Sequence, residues 1–315
     1  MRRRMRRSRR QRPRWVRRAT TLVALLAGAA LVVPAGTVHP TRISLTTIGT
    51  AKAVDAGDGI VWVLALGSEA AAGDDVTTGL TDAIQLIGVH LDTGRAVAIG
   101  LPRDLYVEMS DGRARLNTAL RDEGTDGVAR EVDDLLGIEP DVVVVTGFEG
   151  FLSMMGAVGD VHVDSPLAFT TEDGDVHVRR GRNTFDADEA LYYARTRETL
   201  PGGSDFERAA NHQRLLLGVL QRLRDAEDEA GFMEGVALSA LGGLQTDMSP
   251  SQVYRLVQAL TTVDPGRTDS CIIVGTFGVE SGAAVVYPDL DQAREVGRDA
   301  QDDARLQGGC RDGSG

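Results

Sequence analysis

The apolar residues of this chain fall into short runs that are typical of strands in a layered α/β domain. Four runs are continuous or alternating and are bounded by Gly, Asp or Pro: residues 59–67, 82–92, 95–102 and 141–148. The last of them contains four consecutive valines and suits a strand that is buried on both faces. Two further runs near the C-terminus, CIIVGTFGV and AAVVYP, predict closing strands.

Segments with helical spacing of apolar residues lie between and after these runs. The predicted helices cover residues 125–136, 149–158, 205–225, about 250–263 and 289–306. Another helix is predicted after Asp186, because Glu189 three residues later completes a capping box. The alternation of strands and helices predicts an α/β fold, a layered α/β/α domain around a central mixed sheet.

The first 40 residues follow a different pattern. Residues 1–18 hold eleven arginines, and residues 19–40 carry no charge unless His39 is protonated. The uncharged stretch is about as long as a bilayer-spanning helix requires. The positive-inside rule then puts the arginine tail in the cytoplasm and the rest of the chain outside the cell, anchored by one transmembrane helix. A cleaved signal peptide is the alternative.

The part of the chain that is predicted to be exported divides into a linker and one domain. Residues 41–57 are predicted to be a polar linker, and residues 58–306 a single extracytoplasmic domain. The arginine tail could contact nucleic acid without specificity, but anionic lipid beside the membrane explains it more simply, so no specific nucleic-acid partner is expected.

The charge balance of the exported part restricts its ligands. Removing the eleven tail arginines from the 34 Lys and Arg leaves 23 basic residues against 46 acidic ones, a formal net charge of about −23. Long-range attraction of a polyanion is therefore not built in, and an anionic ligand needs a local cluster of arginines.

The two cysteines, Cys271 and Cys310, both lie in the part predicted to be exported, where oxidation is permitted. A disulfide between them would tie the C-terminal tail to the last predicted strands. Cysteine spacing alone leaves two free thiols as the alternative.

A cluster of arginines occupies the stretch YYARTRETLPGGSDFERAANHQR, residues 192–214. Arg195 and Arg197 would diverge on a continuous helix but share one face on extended chain, and the Pro and Gly residues that follow favour extended chain. Arg208 lies in the first turn of the next predicted helix, whose free N–H groups and dipole attract anions. Such a cluster suits pyrophosphate, although each arginine could instead pair with a nearby acid.

Carboxylates are predicted at the same edge of the sheet. Arg103 and Asp104 follow a predicted strand, at the position where open α/β sheets place their ligand sites. Asp82 begins the preceding strand and Glu69 follows the first one. Two such acids could hold Mg²⁺ while the ion bridges phosphate oxygens.

Several ordered motifs now resemble one family over roughly residues 59–220. The chain is similar to the LytR-CpsA-Psr family in GSE (67–69), TDAI (81–84), GLPRDLYVE (100–108), RLNTAL (115–120), LLGIEPDVVVVTGFEGF (135–151), GDVHVDSP (159–166), EALYYARTR (189–197) and DFERAANHQ (205–213). The resemblance implies a membrane-anchored, extracytoplasmic enzyme that moves a glycopolymer from a polyprenyl pyrophosphate carrier to peptidoglycan, a reaction of cell wall assembly.

The resemblance also implies roles for particular residues. Asp82, Arg103 and Arg197 would be catalytic, and Glu69 and Asp82 would hold Mg²⁺. The pyrophosphate would be bound by Arg103, Arg195, Arg197, Arg208 and Gln213. The lipid would lie in an apolar pocket that draws on Phe148, Phe151, Leu152, Leu216 and Leu220.

The chain departs from the family pattern at several of these positions. Glu69 replaces an aspartate, and Leu80, Asn211 and His212 stand where the family has arginine, arginine and glutamine. These changes keep open a divergent, non-catalytic member that binds polyprenyl phosphates or cell-wall polymer. A transcriptional attenuator would need a DNA-recognition element, and the tail shows none.

Overall fold

The structure is a computed structural model that describes residues 44–46, 53–55, 59–71, 73–172, 174–200 and 205–310. Its strands are β1 Ser44–Thr46, β2 Ala53–Asp55, β3 Ile60–Ser68, β4 Thr81–His90, β5 Arg95–Gly100, β6 Tyr106–Met109, β7 Gly112–Arg115, β8 Val142–Thr146, β9 Val161–Ser165, β10 Phe169–Thr170, β11 His177–Val178, β12 Gly181–Phe185, β13 Thr268–Ile272, β14 Gly275–Glu280 and β15 Ala283–Pro288. Its helices are α1 Ala119–Leu136, α2 Phe148–Val158, α3 Ala187–Arg195, α4 Asp205–Asp225, α5 Phe232–Gly243, α6 Pro250–Thr261 and α7 Leu290–Ala300.

A five-stranded mixed sheet with the order β13-β5-β4-β3-β8 forms the centre of the fold. β3 and β8 are parallel, β5 and β13 are parallel, and β4 runs antiparallel to both of its neighbours. The carboxyl ends of β3, β5, β8 and β13 therefore meet the beginning of β4 at one edge, which we call the site edge.

Helices cover both faces of this sheet. On one face, Leu64 and Leu66 share a core with residues of α1 and α7. On the other face, alternate β3 residues such as Val63 pack with α5 and α6, while the neighbouring Val89 packs with Leu220 of α4. Leu64 is fully buried, and burial of a side chain of this size contributes about 1.5–3 kcal/mol. The prediction of an α/β domain around a central mixed sheet is confirmed.

Most predicted elements are found, with small shifts at their ends. The capping box at Asp186 is present, since its side chain accepts from the Glu189 N–H while Glu189 bonds back to the Asp186 N–H. The predicted strand at 271–279 is two strands, because β13 ends at Ile272 and the chain turns before β14 begins at Gly275.

The expected disulfide is confirmed, and Cys271 of β13 is bonded to Cys310. The bond closes a segment that contains the β14–β15 hairpin and α7. The arginine tail at 1–18 and the predicted transmembrane helix at 19–40 lie outside the described residues. Within the described ranges, none of the helices combines the length and apolarity that crossing a bilayer requires.

Candidate active site

A bulge at the start of β4 sets the position of Asp82. Gly67 of β3 pairs with Ala83 and the next residue, Ser68, pairs with Thr81, so that Asp82 is the extra residue between two ladder partners. Bulges of this kind turn a side chain out of the regular pleat and are common next to active sites. Asp82 consequently faces the site edge, where it lines two adjoining pockets.

Arg103 follows β5 and meets this carboxylate directly. Its Nη1 donates to Oδ1 of Asp82, and its Nε lies 3.6 Å from Asp205 Oδ2 and 3.9 Å from Asp104 Oδ1. Burial alone would lower the pKa of Arg103, but the carboxylates, with Asp82 and Asp205 foremost, raise it. The guanidinium thus stays charged between three acids.

The first turn of α4 brings the second arginine. Arg208 is 6% exposed and its Nη2 lies 2.8 Å from Asp205 Oδ1. Burial lowers the pKa of Arg208, although a guanidinium remains protonated at any physiological pH. Arg103 and Arg208 therefore flank Asp205. These three residues, together with Asp82 and Arg197, form what we call the clamp.

Asp104 and Asp205 form a carboxyl pair within the clamp. Burial, followed by its hydrogen bond and charge repulsion with Asp205, raises the pKa of Asp104 to about 6. The pKa of Asp205 is lowered despite its burial, because Asp104 donates to it and Arg208 and Arg103 lie close by. Below pH 6 the pair therefore holds one proton, on Asp104. Arg115 reaches the same Asp104 carboxyl at 3.2 Å.

The two arginines at the end of α3 are separated by the end of the helix. α3 ends at Arg195, and Thr196 is extended with φ −60° and ψ 132°, as the Pro and Gly residues downstream predicted. The Arg195 guanidinium stacks on the Phe148 ring, 4.7 Å from its centroid, and lines the larger pocket. Arg197 belongs to the clamp, where its charge acts on Asp205 and Arg208.

Glu172 is a fourth acid of the site and lies beside the end of α3. Its Oε1 accepts hydrogen bonds from the backbone N–H groups of Arg197 at 2.6 Å and Glu198 at 2.5 Å. Burial would raise the pKa of Glu172, but these two hydrogen bonds and the charges of Arg197 and Arg195 lower it. Glu172 therefore fixes the chain that leaves α3 and sets the position of Arg197.

An apolar pocket of about 250 Å³ opens beside the clamp. Its charged lining residues are Asp82, Arg195 and Arg208, and its walls come from β3, β4, β8, α2, α3 and α4. Of the side chains predicted for a lipid pocket, Phe148, Phe151 and Leu216 line it.

Two of the residues predicted for this pocket are not among those that line it. Leu220 is in the core under the sheet and packs with Val89, while Leu152 is partly buried on α2 outside the lining.

The prediction that Gln213 binds pyrophosphate needs correction. Its Nε2 donates to the backbone oxygens of Ala98 at 3.1 Å and Cys271 at 2.7 Å, and its side chain is buried against the sheet. Gln213 lies five residues after Arg208, so the two side chains point about 140° apart around the helix. Gln213 holds α4 on β5 and β13 and does not line either pocket.

The predicted metal ligands are not joined into a ready-made site. Glu69 is exposed, and its charge acts on Arg121 of α1, while Asp82 is bonded to Arg103. The described residues contain no group of three or more His, Cys, Asp or Glu arranged around one point. Two carboxylates together with ligand phosphates are nonetheless a donor set that Mg²⁺ uses.

The residues that replace the family pattern on α4 are uncharged. His212 lines both pockets, and burial, followed by the charge of Arg208, lowers its pKa to about 4. The neutral ring therefore donates from Nε2 to the Ala194 oxygen, 2.8 Å away. Asn211 is buried and its Oδ1 accepts from Tyr193 Oη and Arg214 Nη1.

Sequence reasoning missed two features of this site: Glu172, and His212 as a pocket residue. Asp205 was among the acids expected to pair with the arginines, and it does pair with Arg208, three residues later on the same helix face. Glu172 gave no usable signal, because its partners lie 25 and 26 residues further along the chain.

These features define a class of protein. A mixed α/β sheet carries, at one edge, an arginine clamp suited to a phosphate group and an apolar pocket beside it, which together fit an anionic amphiphile. The chain belongs to the LytR_cpsA_psr family, whose model matches residues 41–301.

Relatives with established names cover part of this chain. It is 27% identical over 197 residues to the polyisoprenyl-teichoic acid–peptidoglycan teichoic acid transferase TagU of Bacillus anthracis, a match that covers 62% of each chain. It is 24% identical over 207 residues to TagV of Bacillus subtilis, covering 63% of this chain and 52% of TagV. The chain thus spans less than two thirds of the length of these curated relatives.

Solved structures share the fold. The B. subtilis TagV structure has a TM-score of 0.65 and 21% identity, covering 79% of this chain and 99% of that one. TagT bound to LI-WTA has a TM-score of 0.66 and 21% identity, covering 86% of this chain and 100% of that one.

Proposed function

We propose that this protein is a phosphotransferase that moves a glycopolymer from a polyprenyl pyrophosphate carrier to peptidoglycan during cell wall assembly. The observation that carries the proposal is the shared lining: Asp82 and Arg208 belong to the clamp and also line the apolar pocket. A polyprenyl chain in the pocket would hold its pyrophosphate at the clamp. The relatives named teichoic acid transferases support the same reaction class.

The transfer is a substitution at phosphorus. A hydroxyl oxygen of the acceptor forms a bond to the phosphorus that carries the glycopolymer, and the bond from that phosphorus to the bridging oxygen breaks. Polyprenyl phosphate leaves with the electron pair, and the hydroxyl proton passes to a carboxylate. Little more is required of the protein than positioning and charge stabilisation.

The clamp residues divide this work. Arg103, Arg197 and Arg208 would stabilise the charge that develops on the pyrophosphate, and Arg195 would contact it from the pocket wall. Asp82 would accept the proton of the attacking hydroxyl, because it is 29% exposed and lies within the clamp, where it lines both pockets.

Magnesium is part of the proposal. Asp82 and Glu69 are the carboxylates that would hold Mg²⁺ together with phosphate oxygens. Bound there, the ion would neutralise charge on the leaving phosphate. Phosphate oxygens of the ligand would complete the coordination of the ion.

The location proposed for the protein is the cell membrane, with the N-terminus cytoplasmic and the domain outside. The apolar stretch at 19–40 and the arginines before it support a signal anchor. The Cys271–Cys310 disulfide supports an oxidising compartment.

A second candidate function is a non-catalytic binder of polyprenyl phosphates. The neutral His212 and the buried Asn211 favour it, because both lie where the family pattern carries polar or charged groups toward the ligand. The clamp arginines, all present, favour the enzyme.

The test is turnover by the full-length protein in detergent, with Mg²⁺, a polyprenyl pyrophosphoryl oligosaccharide and a peptidoglycan acceptor, measured as released polyprenyl phosphate. Arg197→Ala and Asp82→Ala should each lower the rate at least about a hundredfold. Arg222→Ala is the matched control, since Arg222 is similarly exposed (29% against 34%) and lies near the far end of α4. Carrier binding with no release from the wild type would instead establish the binder.

A further inference from the structure

The β14–β15 hairpin presents an exposed apolar row next to the clamp. Phe277 and Val279 are 67% and 69% exposed. They lie two residues apart on one strand and therefore on one face. Most large apolar side chains of the described residues are buried, so a pair of neighbouring exposed ones marks an interaction surface.

The hairpin is attached to the clamp through its backbone. The N–H of Val286 donates to the Asp104 oxygen at 2.8 Å, and Leu105 forms an isolated bridge with Val286. Phe277 is the direct partner of Val286 in the hairpin. Phe277 thus lies two strand spacings, about 10 Å, from the backbone of Asp104.

A second aromatic ring joins this surface from the clamp side. Phe206, which follows Asp205 on α4, packs edge-to-face against Phe277 with ring centroids 5.6 Å apart. Phe206 is partly buried and packs against the core, whereas Phe277 is open to solvent. The pair forms a shelf that begins at the clamp and extends outward, with Arg115 of β7 bonded to Asp104 beside it.

The order of the strands separates this shelf from the apolar pocket. Along the site edge, the pocket lies at the ends of β3 and β8, the clamp at the ends of β4 and β5, and the hairpin follows β13. The pocket and the shelf therefore lie on opposite sides of the clamp.

In-line substitution at phosphorus determines the side from which the acceptor must approach. The attacking oxygen approaches phosphorus from the side opposite the leaving oxygen. A polyprenyl phosphate whose chain fills the pocket leaves toward β3 and β8, so the acceptor hydroxyl must arrive from the side of β13. That side carries the shelf.

We propose that Phe277, supported by Phe206, is the binding platform for a sugar ring of the acceptor glycan. The apolar face of a pyranose stacks on an aromatic ring, and its hydroxyls stay free for polar groups such as Arg115. This inference rests on the proposed function and names the side from which that reaction receives its acceptor.

The experiment measures acceptor and carrier dependence separately in the full-length protein. Phe277→Ala should raise the KM for a soluble peptidoglycan oligosaccharide about tenfold and leave the affinity for the polyprenyl pyrophosphate carrier unchanged. Leu238→Ala is the matched control, because Leu238 is 69% exposed, much like Phe277 at 67%, and lies on α5 outside the lining of both pockets. An unchanged KM in Phe277→Ala would overturn the proposal.

A second variant distinguishes sugar stacking from contact with a bilayer. Phe277→Leu keeps an apolar side chain but removes the aromatic face, so it should lose acceptor affinity as Phe277→Ala does. A wild-type KM in Phe277→Leu, combined with weaker binding of Phe277→Ala to anionic phospholipid vesicles, would assign the hairpin to the membrane and overturn the proposal.

Calorimetric binding of the oligosaccharide without carrier separates this inference from the reaction. If the wild type releases no polyprenyl phosphate but binds the oligosaccharide in a Phe277-dependent way, the proposed function fails and the platform stands. If turnover proceeds and the affinity for the oligosaccharide does not depend on Phe277, the platform fails and the function stands.

Discussion

Asp205 is the residue on which the charges of the clamp converge. It lies beside Arg103 and Arg208 and accepts a hydrogen bond from Asp104. Asp205 and Asp82 together balance the charges of Arg103 and Arg208, so that Arg197 leaves the clamp with a net positive charge as long as Asp104 is protonated. Protonation of Asp104 decides how much of that charge survives.

The pH dependence of carrier binding follows from Asp104. Its pKa is raised to about 6, so above pH 6 a third carboxylate, after Asp82 and Asp205, opposes an anionic ligand. A pyrophosphate esterified at both ends keeps its charge over this range, so carrier affinity should fall several-fold between pH 5 and pH 7.5. Asp104→Asn, which removes the titration, should flatten this profile in equilibrium binding measured across that range.

The proton on Asp104 also contributes to the free energy of unfolding, and this contribution depends on pH. Because the folded-state pKa is raised above the ordinary value of 3.8, the contribution is full below about pH 4 and is lost as the pH rises to about 6. A wild-type binding profile that stays flat between pH 5 and pH 7.5 would contradict the assignment of the shared proton.

Single residues were predictable where local sequence determined them. Arg103, Asp82 and Arg208 were placed correctly at the site edge because each lies at the end or start of a recognisable element. Glu172 was not predictable, because its contact with Arg197 depends on how a short hairpin folds back. Gln213 was assigned by likeness to a motif, but helical geometry points it into the sheet.

Elements were predictable where capping or periodicity was strong. α4 begins and ends at the predicted residues, whereas α5 was missed because glycines at 235, 242 and 243 weaken its helical signal. The structure explains one of these glycines: a Cβ on Gly243 would lie 2.7 Å from the backbone oxygen of Gly150 in α2, and a Cβ on Gly150 would lie 2.2 Å from the Gly243 oxygen. Glycine there allows two helices to approach closely.

Helix α1 carries a buried acid whose removal should stabilise the protein. Burial, followed by repulsion from Asp134, raises the pKa of Glu131 to about 7, so keeping it folded at pH 8 costs free energy. Glu131→Gln should raise the free energy of unfolding by roughly 1–3 kcal/mol at pH 8.

Urea denaturation at two pH values tests this. The gain from Glu131→Gln should shrink toward zero at pH 4.5, because the wild-type side chain is then protonated in the folded protein. An equal gain at both pH values would show that packing, and not charge, limits this helix.

At the scale of the whole molecule, the disulfide secures the segment that bears the hairpin. It joins residues 39 positions apart, and closing a loop of that length stabilises the fold by about 4 kcal/mol through chain entropy. Cys310→Ser should lower the free energy of unfolding by about 3–4 kcal/mol, measured by urea denaturation without reductant.

Reductant provides the comparison for that variant. Dithiothreitol should bring the wild type down to the stability of Cys310→Ser and leave the variant unchanged. A wild type that keeps its full stability after verified reduction would show that packing of α7 alone holds this segment.

The order of the pocket, the clamp and the shelf along the site edge determines the orientation of a bound ligand. A ligand with an apolar tail and a charged head fits the pocket and clamp one way round only, since the two ends of the edge differ in character. Once the tail is cleaved from the head group, the head group no longer has a tail in the pocket, while the released tail still occupies it. The two products would therefore depart from opposite sides of the clamp.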